Sequence, residues 1–225
     1  LYSVYIELGA QVSLIPPIGN LPDMVFTANA GLVYENSFIP AQFKFKERKK
    51  EEFYFRQWFE QNGFKILNLP PEINFEGEAD RIFHNDKILM GYGFRSDLSA
   101  HQEISTILKK EVISLELINP NFYHLDTCLA YFELTDTIIY YPGAFSQKSQ
   151  DLVRNEFTNI IEVNNDEAFR YACNSISIKD NIVINESCPQ VCAELIKYNY
   201  KIHTLNTSEF LKSGGSIKCL SLIHI

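Results

Sequence analysis

Phe122-Tyr123-His124-Leu125-Asp126-Thr127-Cys128 leads into Leu129–Tyr141, a run that reads as a strand hairpin. In a strand, residues two apart face the same side, so His124 and Asp126 are expected to point into one space. A histidine beside a carboxylate can move protons near neutral pH. Alone, an H-x-D pair on a strand is more often a solvated face or a satisfied buried pair. Its weight comes from what occupies the same place elsewhere in the chain.

Outward from this stretch a strand-strand-helix-strand pattern repeats. The first unit is a hairpin over Val25–Phe38 turning at Glu35-Asn36, a helix over Glu47–Asn62 with Phe53, Phe55, Trp58 and Phe59 on one side, and a strand over Phe64–Leu69. The second is a hairpin over Phe75–Gly91 turning at Asn85-Asp86, a helix over Asp97–Lys110 capped by Asp97, and a strand over Val112–Leu117. The third is the hairpin His124–Tyr141, a helix Ser146–Phe157 and a strand Ile160–Val163. The fourth is a hairpin Cys173–Asn185 turning at Asp180-Asn181, a helix Pro189–Tyr198 and a strand Lys201–Leu205. Leu211–Leu220 opens a fifth. Before the first unit, Leu1–Leu14 reads as the end of a helix stopped by Gly9, then a strand. A start inside an element implies upstream sequence.

Repeats of this length mark propellers and solenoids. The polar residues at the first strand of each unit are Asn29, Glu76, His124, Asn174 and Cys219, spaced 47, 48, 50 and 45 residues apart. If the units close around an axis, these residues converge with Asp126 on one pocket. That assembles the constituents of thiol covalent catalysis: a nucleophile, a proton carrier and an orienting carboxylate. Two acids in one pocket repel unless a cation joins them, and a planar guanidinium pairs with carboxylates through parallel hydrogen bonds.

Composition frames this reading. The chain has 225 residues, enough for one full core or two small ones, and 46% are hydrophobic. A net charge of −8 argues against a nucleic-acid partner and suits a cationic ligand. No apolar run is long enough to span a bilayer, and no signal-like segment opens the chain, so no membrane partner is expected. Five cysteines without framework spacing imply reduced thiols and a cytoplasmic setting. Cys188 and Cys192, four apart, have the spacing of a metal pair, but a helix face with two small apolar side chains is the simpler reading. Cys128 and Cys173 read as packing thiols, and His84, His101, His203 and His224 as surface or packing residues.

Pro22–Gly31, Phe75–Asp80, Gly91–Arg95, Tyr123–Thr127 and Gly214–Cys219, in this order, resemble the guanidino-group-modifying enzymes: arginine deiminase, arginine dihydrolase, dimethylarginine dimethylaminohydrolase and glycine amidinotransferase. The resemblance covers nearly the whole chain. It implies one α/β domain over 1–225, a five-bladed α/β propeller (pentein) with the fifth blade incomplete and split between the two ends of the chain, and hydrolysis of a small cationic guanidino substrate without metal or organic cofactor. By the same resemblance Cys219 attacks the guanidinium carbon, and His124 protonates the departing amine and then activates water. Glu76 bonds His124 or substrate nitrogens, Asp126 clamps the guanidinium, and Arg48 and Arg95 hold the substrate's α-carboxylate. Asp80 joins the substrate-binding set.

Two departures from the family pattern bear on the activity. Asn29 stands where deiminases and dimethylarginine hydrolases carry Asp, which resembles the dihydrolase module. Glu76-Gly77-Glu78-Ala79-Asp80 is one residue longer than the usual motif, leaving Glu78 as a rival to Glu76. The expected activity is arginine dihydrolase- or deiminase-like. Dimethylarginine hydrolysis and amidino transfer are the enzymatic alternatives, and a non-catalytic arginine-binding protein is the alternative of another class. Homo-oligomerisation is compatible with the sequence.

Overall fold

The computed structural model describes residues 1–223; His224 lies outside the described residues. Four three-stranded sheets follow one another along the chain, each with its strands in sequence order. The first holds β1 (Gly31–Tyr34), β2 (Ser37–Pro40) and β3 (Lys65–Ile66), with α2 (Glu51–Gln61) in the crossover; α1 (Tyr2–Glu7) precedes it. The second holds β4 (Arg81–His84), β5 (Lys87–Tyr92) and β6 (Glu111–Glu116), with α3 (Leu98–Leu108). The third holds β7 (Leu129–Phe132), β8 (Thr137–Tyr140) and β9 (Asn159–Glu162), with α4 (Gln147–Glu156). After a short α5 (Asn165–Ala168), the fourth holds β10 (Ile176–Ile178), β11 (Asn181–Asn185) and β12 (Lys201–Leu205), with α6 (Pro189–Lys197). A last short helix, α7 (Ser208–Leu211), precedes a 3-10 turn at Lys218–Leu220.

Each unit pairs its first two strands antiparallel and its last two parallel, as in Gly31↔Pro40 and Ser37↔Lys65. A hairpin needs only a tight turn, whereas a parallel partner needs a crossover, here the helix. The hairpin turns carry left-handed residues at Glu35, Asn85, Asp136 and Lys179. The fourth turn falls at Lys179-Asp180, because Asn181 already pairs with Ile178.

Helical spacing explains which aromatics are inside. Phe55 and Phe59, four apart, share the buried face of α2, and the Phe59 ring stacks on Phe38 at 3.7 Å. Phe53 is two positions from Phe55, on the other side, and is 62% exposed, so it does not belong to that face as expected. Asp97 precedes α3, but its Oδ2 accepts from the Asn74 backbone N and Nδ2 at 2.8 and 2.9 Å rather than capping the helix. Residues 10–14 are not a strand. One apolar cluster joins the third and fourth units through Phe132, Ile139, Ile182 and Tyr200; another joins the first two through Leu32, Phe75 and Ile88. Tyr5 of α1 packs with Ile176, Val183 and Ile217, and its hydroxyl meets Ser221 Oγ at 3.1 Å. Among the described residues, no helix is long and apolar enough to cross a membrane.

Candidate active site

The expected first-strand positions are not on strands. Each unit enters its hairpin through a compact turn: 3-10 turns at Thr27–Ala30, Gly77–Asp80 and Leu125–Thr127, and an irregular turn around Asn174. These turns pack side by side, and the turn at Lys218–Leu220 returns against the one at Thr27–Ala30. His124 is the extended residue before its turn and Asp126 lies within it, so the strand alternation predicted for this pair is replaced by helical winding. Glu76 and His124 each stand five residues before a strand, whereas Asn29 and Asn174 stand two before theirs. The near-constant spacing therefore covers two structural positions.

Glu76, fully buried, accepts from His124 Nε2 at 2.9 Å and from Arg95 Nη1 at 3.2 Å on the same oxygen. Glu76, not Glu78, is thus the partner of His124. Glu78 instead takes Lys218 Nζ, Arg81 Nη2 at 3.3 Å and the Ile223 backbone N at 3.0 Å. Asp80 is filled from two sides: Ser96 Oγ donates to it at 2.6 Å and Leu125 N at 3.0 Å. The Glu76 backbone N donates to the same Ser96 hydroxyl at 3.0 Å. Ser96, which sequence reasoning missed, ties the two acids together; its only signal was its place after Arg95. The Asp80 carboxylate supports the His124 turn from within the protein.

Arg95 lies between two rings, 4.8 Å from the Phe45 centroid and 4.6 Å from Tyr123. Arg48 is held differently. It is buried, with Glu51 on Nε and Nη2 (3.0 and 2.7 Å) and Asn29 Oδ1 on Nη1 at 2.6 Å. Glu51 is a second partner that the charged run Lys46–Lys50 concealed. Because Arg48 occupies Oδ1, Asn29 presents its Nδ2, a buried donor with no partner among the described residues.

Cys219 is buried, with Asn174 Nδ2 at 3.1 Å from its sulfur and Asp126 Oδ2 at 3.6 Å. Tyr123 Oη donates to Gly214 O at 2.7 Å. Gly214 has φ +79°, and any side chain there would strike the Tyr123 hydroxyl; one at Gly215 would strike the Phe26 ring. The glycine pair thus lets the Cys219 loop lie flat on its neighbours.

Burial and mutual charge set the protonation states. Burial pushes the Cys219 thiol well above its usual range, and Asp126 adds to this; the Ser216 backbone and Asn174 oppose it. Burial likewise pushes Asp126 and Asp80 up, each to about 6. Burial pulls His124 down, but Asp80, Glu76 and Asp126 outweigh it and hold the imidazole above its ordinary value. Burial raises Glu76, yet the bond and charge of His124, with Arg95 and Arg48, bring it below the usual carboxylate range. The arrangement is a His124–Glu76 pair biased toward imidazolium and carboxylate, together with a shielded thiol, among buried acids.

Of the remaining candidates, Cys128 closes the His124 turn, its sulfur donating to Leu125 O at 3.4 Å, and the others lie elsewhere. His84 bridges Glu156 and Asp136, His101 bonds Ser114, and His203 bonds Asn181. Cys128, Cys173 and Cys188 are buried free thiols, and Cys192 is half-buried. Among the described residues no group of three or more His, Cys, Asp or Glu side chains could hold a metal ion.

A repeated sheet-helix unit whose entry turns gather a cysteine, a histidine and several acids is the architecture of the guanidino-group-modifying enzymes. The family model described as N,N dimethylarginine dimethylhydrolase, eukaryotic, matches residues 1–224, and the chain belongs to that family. It is 40% identical over 217 residues to the bifunctional arginine dihydrolase/ornithine cyclodeaminase ArgZ of Synechocystis, covering 95% of this chain and 31% of that protein. It is 39% identical over 225 residues to the N(G),N(G)-dimethylarginine dimethylaminohydrolase of Mycobacterium tuberculosis, covering 100% of this chain and 74% of that one. The chain therefore spans under a third of the bifunctional relative and about three quarters of the mycobacterial one. A crystal structure of the N-terminal domain of ArgZ, a variant covalently bound to a reaction intermediate, superposes with a TM-score of 0.94 at 39% identity, over 97% of this chain and 81% of that one.

Proposed function

We propose that this protein is a guanidino-group hydrolase that acts on free arginine through covalent catalysis by Cys219. The observation that carries the reading is a buried thiol 3.6 Å from a buried carboxylate, in a cluster of turns that also holds the Glu76–His124 pair. Buried acids without enough bound cation are costly, and a guanidinium supplies the missing charge together with donors in a fork that fits carboxylates. Asp126 takes the substrate guanidinium beside the sulfur. The cation offsets the negative charge that keeps the thiol protonated, so thiolate forms where it is needed. The sulfur adds to the guanidinium carbon, the C–N bond breaks, and ammonia leaves with a proton from the His124 imidazolium. The neutral imidazole then takes a proton from the water that attacks the thiouronium carbon, and the C–S bond returns its electrons to sulfur. Glu76 keeps His124 charged and oriented between steps. Arg95, caged by two rings but a quarter exposed, is suited to the substrate's α-carboxylate. Arg48, more deeply engaged, acts on substrate through Asn29.

Asn29 favours a second round of hydrolysis. Its free group is a donor, which suits an oxygen rather than a guanidinium, and the ureido product of the first round carries one there. Retained, that product is attacked again, giving ornithine. The alternative substrate, dimethylarginine, is favoured by the family match and the mycobacterial relative. Product analysis by mass spectrometry separates these readings. With isotopically labelled arginine the expected outcome is ornithine with two equivalents of ammonia; citrulline with one equivalent means a single round. Faster release of dimethylamine from dimethylarginine overturns the substrate assignment.

Four sheets, with the end of the chain tied to its start by Tyr5–Ser221 and by Ile217 in the Tyr5 cluster, support a five-bladed ring whose fifth unit combines α1 with the Cys219 turn. Five free thiols suit a reducing, cytoplasmic setting.

A further inference from the structure

Asn174 takes no part in the steps derived so far, yet its amide is the one side-chain donor on the reactive sulfur among the described residues. It is fully buried, in the turn before β10. Its orientation is decided by groups that have no choice of role. Oδ1 receives the Cys219 backbone N–H at 3.2 Å, which can only donate. Nδ2 faces the Asp126 carbonyl at 3.0 Å, which can only accept. One Nδ2 hydrogen is thereby assigned to Asp126, and the other lies on Sγ at 3.1 Å. Outside the side chain, the Asn174 carbonyl accepts from Lys218 N at 3.3 Å and its own N–H donates to Tyr171 O at 3.0 Å. A residue held at five points cannot turn its amide over to suit the sulfur's charge.

The neighbours of the sulfur act in opposite senses. Asp126, at 3.6 and 3.9 Å, is an acceptor: it accepts a hydrogen bond from the S–H of the neutral thiol and repels the thiolate. Asn174 is a donor, and a donor on sulfur strengthens when the sulfur becomes negative. The other ionisable groups acting on the thiol are Tyr123 and Tyr171, both neutral phenols in the working pH range, with Lys218 beside it in the chain and engaged by Glu78. The geometry points to Asn174 as the side chain that selects the thiolate of Cys219, holding the charge as it forms before attack and again as sulfur departs.

This role rests on Cys219 being the nucleophile proposed above. The bonds made and broken are unchanged: sulfur's lone pair forms the C–S bond as nitrogen leaves, and those electrons return when water's oxygen forms the C–O bond. Asn174 transfers no proton; its N–H bond to sulfur tightens whenever the charge is on sulfur. The Ser216 backbone also opposes the upward push on the thiol, and no side-chain substitution removes it, so the effect of losing Asn174 is partial.

The test is the pH dependence of Cys219 alkylation by iodoacetamide, with the modified residue identified by peptide mass spectrometry, in the wild type and in Asn174→Leu. The loss of one hydrogen bond to a charged acceptor predicts an inflection moved to higher pH and alkylation at neutral pH slowed about tenfold. For arginine turnover, kcat falls by a similar factor while KM changes little. An inflection that stays where it is in the wild type overturns the proposal. Should Asn174→Leu not fold, the wild type alone decides the matter. The side-chain amide protons of Asn174, followed by NMR, must shift with the same midpoint as Cys219 alkylation; amide signals that stay fixed while Cys219 titrates overturn it. Both readouts are independent of turnover, so a shifted inflection with no arginine consumption discards the substrate assignment and leaves the Asn174 contact standing.

Discussion

At the residue scale, binding and chemistry fall to different side chains, and substitution should separate them. His124→Ala is expected to leave arginine binding largely intact and to abolish turnover; equal losses of binding and rate, by calorimetry and steady-state kinetics, make His124 structural. A haloacetamidine, a cationic guanidinium mimic, should label Cys219 ahead of the other four thiols, because Cys219 is the one whose sulfur contacts the Asp126 carboxylate among the described residues. Asp80 leads the charges that hold the imidazolium up against burial, so Asp80→Asn should move the alkaline limb of kcat to lower pH. An unmoved limb detaches Asp80 from His124. Stability follows the same signs. The raised His124 contributes fully below its unfolded-state value, and that contribution is lost as pH rises through the folded one. The lowered Glu76 contributes above the ordinary carboxylate range, and its share is lost as pH falls. Chemistry-bearing residue types were legible in the sequence because each is unusual where it stands: His124 and Asp126 two apart, Cys219 behind two glycines. Ser96 and Glu51 were not, because a serine after an arginine and a glutamate in a charged run look like solvated surface. Glu76 and Glu78 were separable only by geometry, since both are buried and the partner decides which one faces His124.

At the scale of elements, strands and helices followed from periodicity, while the turns that carry the site did not. Hairpins such as Arg81–Tyr92 announced themselves by apolar alternation and a polar turn at Asn85-Asp86. The segments ahead of them are also apolar, and a single-turn 3-10 segment is too short to leave a period distinct from a strand. Gly77 shows what these turns require. It has φ +72°, and a Cβ there would meet Gly31 N and O at 2.7 Å and Ala28 O at 2.9 Å, all backbone. Neither partner can move without shifting the neighbouring turn, which carries Asn29. Gly77→Ala should therefore cost about 1–3 kcal/mol of stability by denaturant titration and lower kcat as well, since Glu76 is the adjoining residue. A variant as stable and active as the wild type contradicts the close contact of these two turns.

At the scale of the whole molecule, units meet through buried apolar clusters and through their packed entry turns, and a few bridges stitch one unit to the next. His84 at the end of β4 is one: its ring nitrogens lie 3.0 Å from Glu156 of α4 and 3.0 Å from Asp136 in the next hairpin turn. Lys87 joins the same Glu156 at 2.8 Å. Removing the ring should leave the partly buried Glu156 to Lys87 alone and cost about 1–2 kcal/mol, with kcat for the remaining folded enzyme unchanged; a lower kcat would mean the bridge reaches the site. The claim on which the rest depends is that Cys219 bonds to carbon derived from arginine. Arginine labelled at the guanidino carbon, mixed with enzyme and quenched in acid during turnover, should leave label on the Cys219 peptide. Label on another residue, or turnover without protein-bound label, contradicts the account.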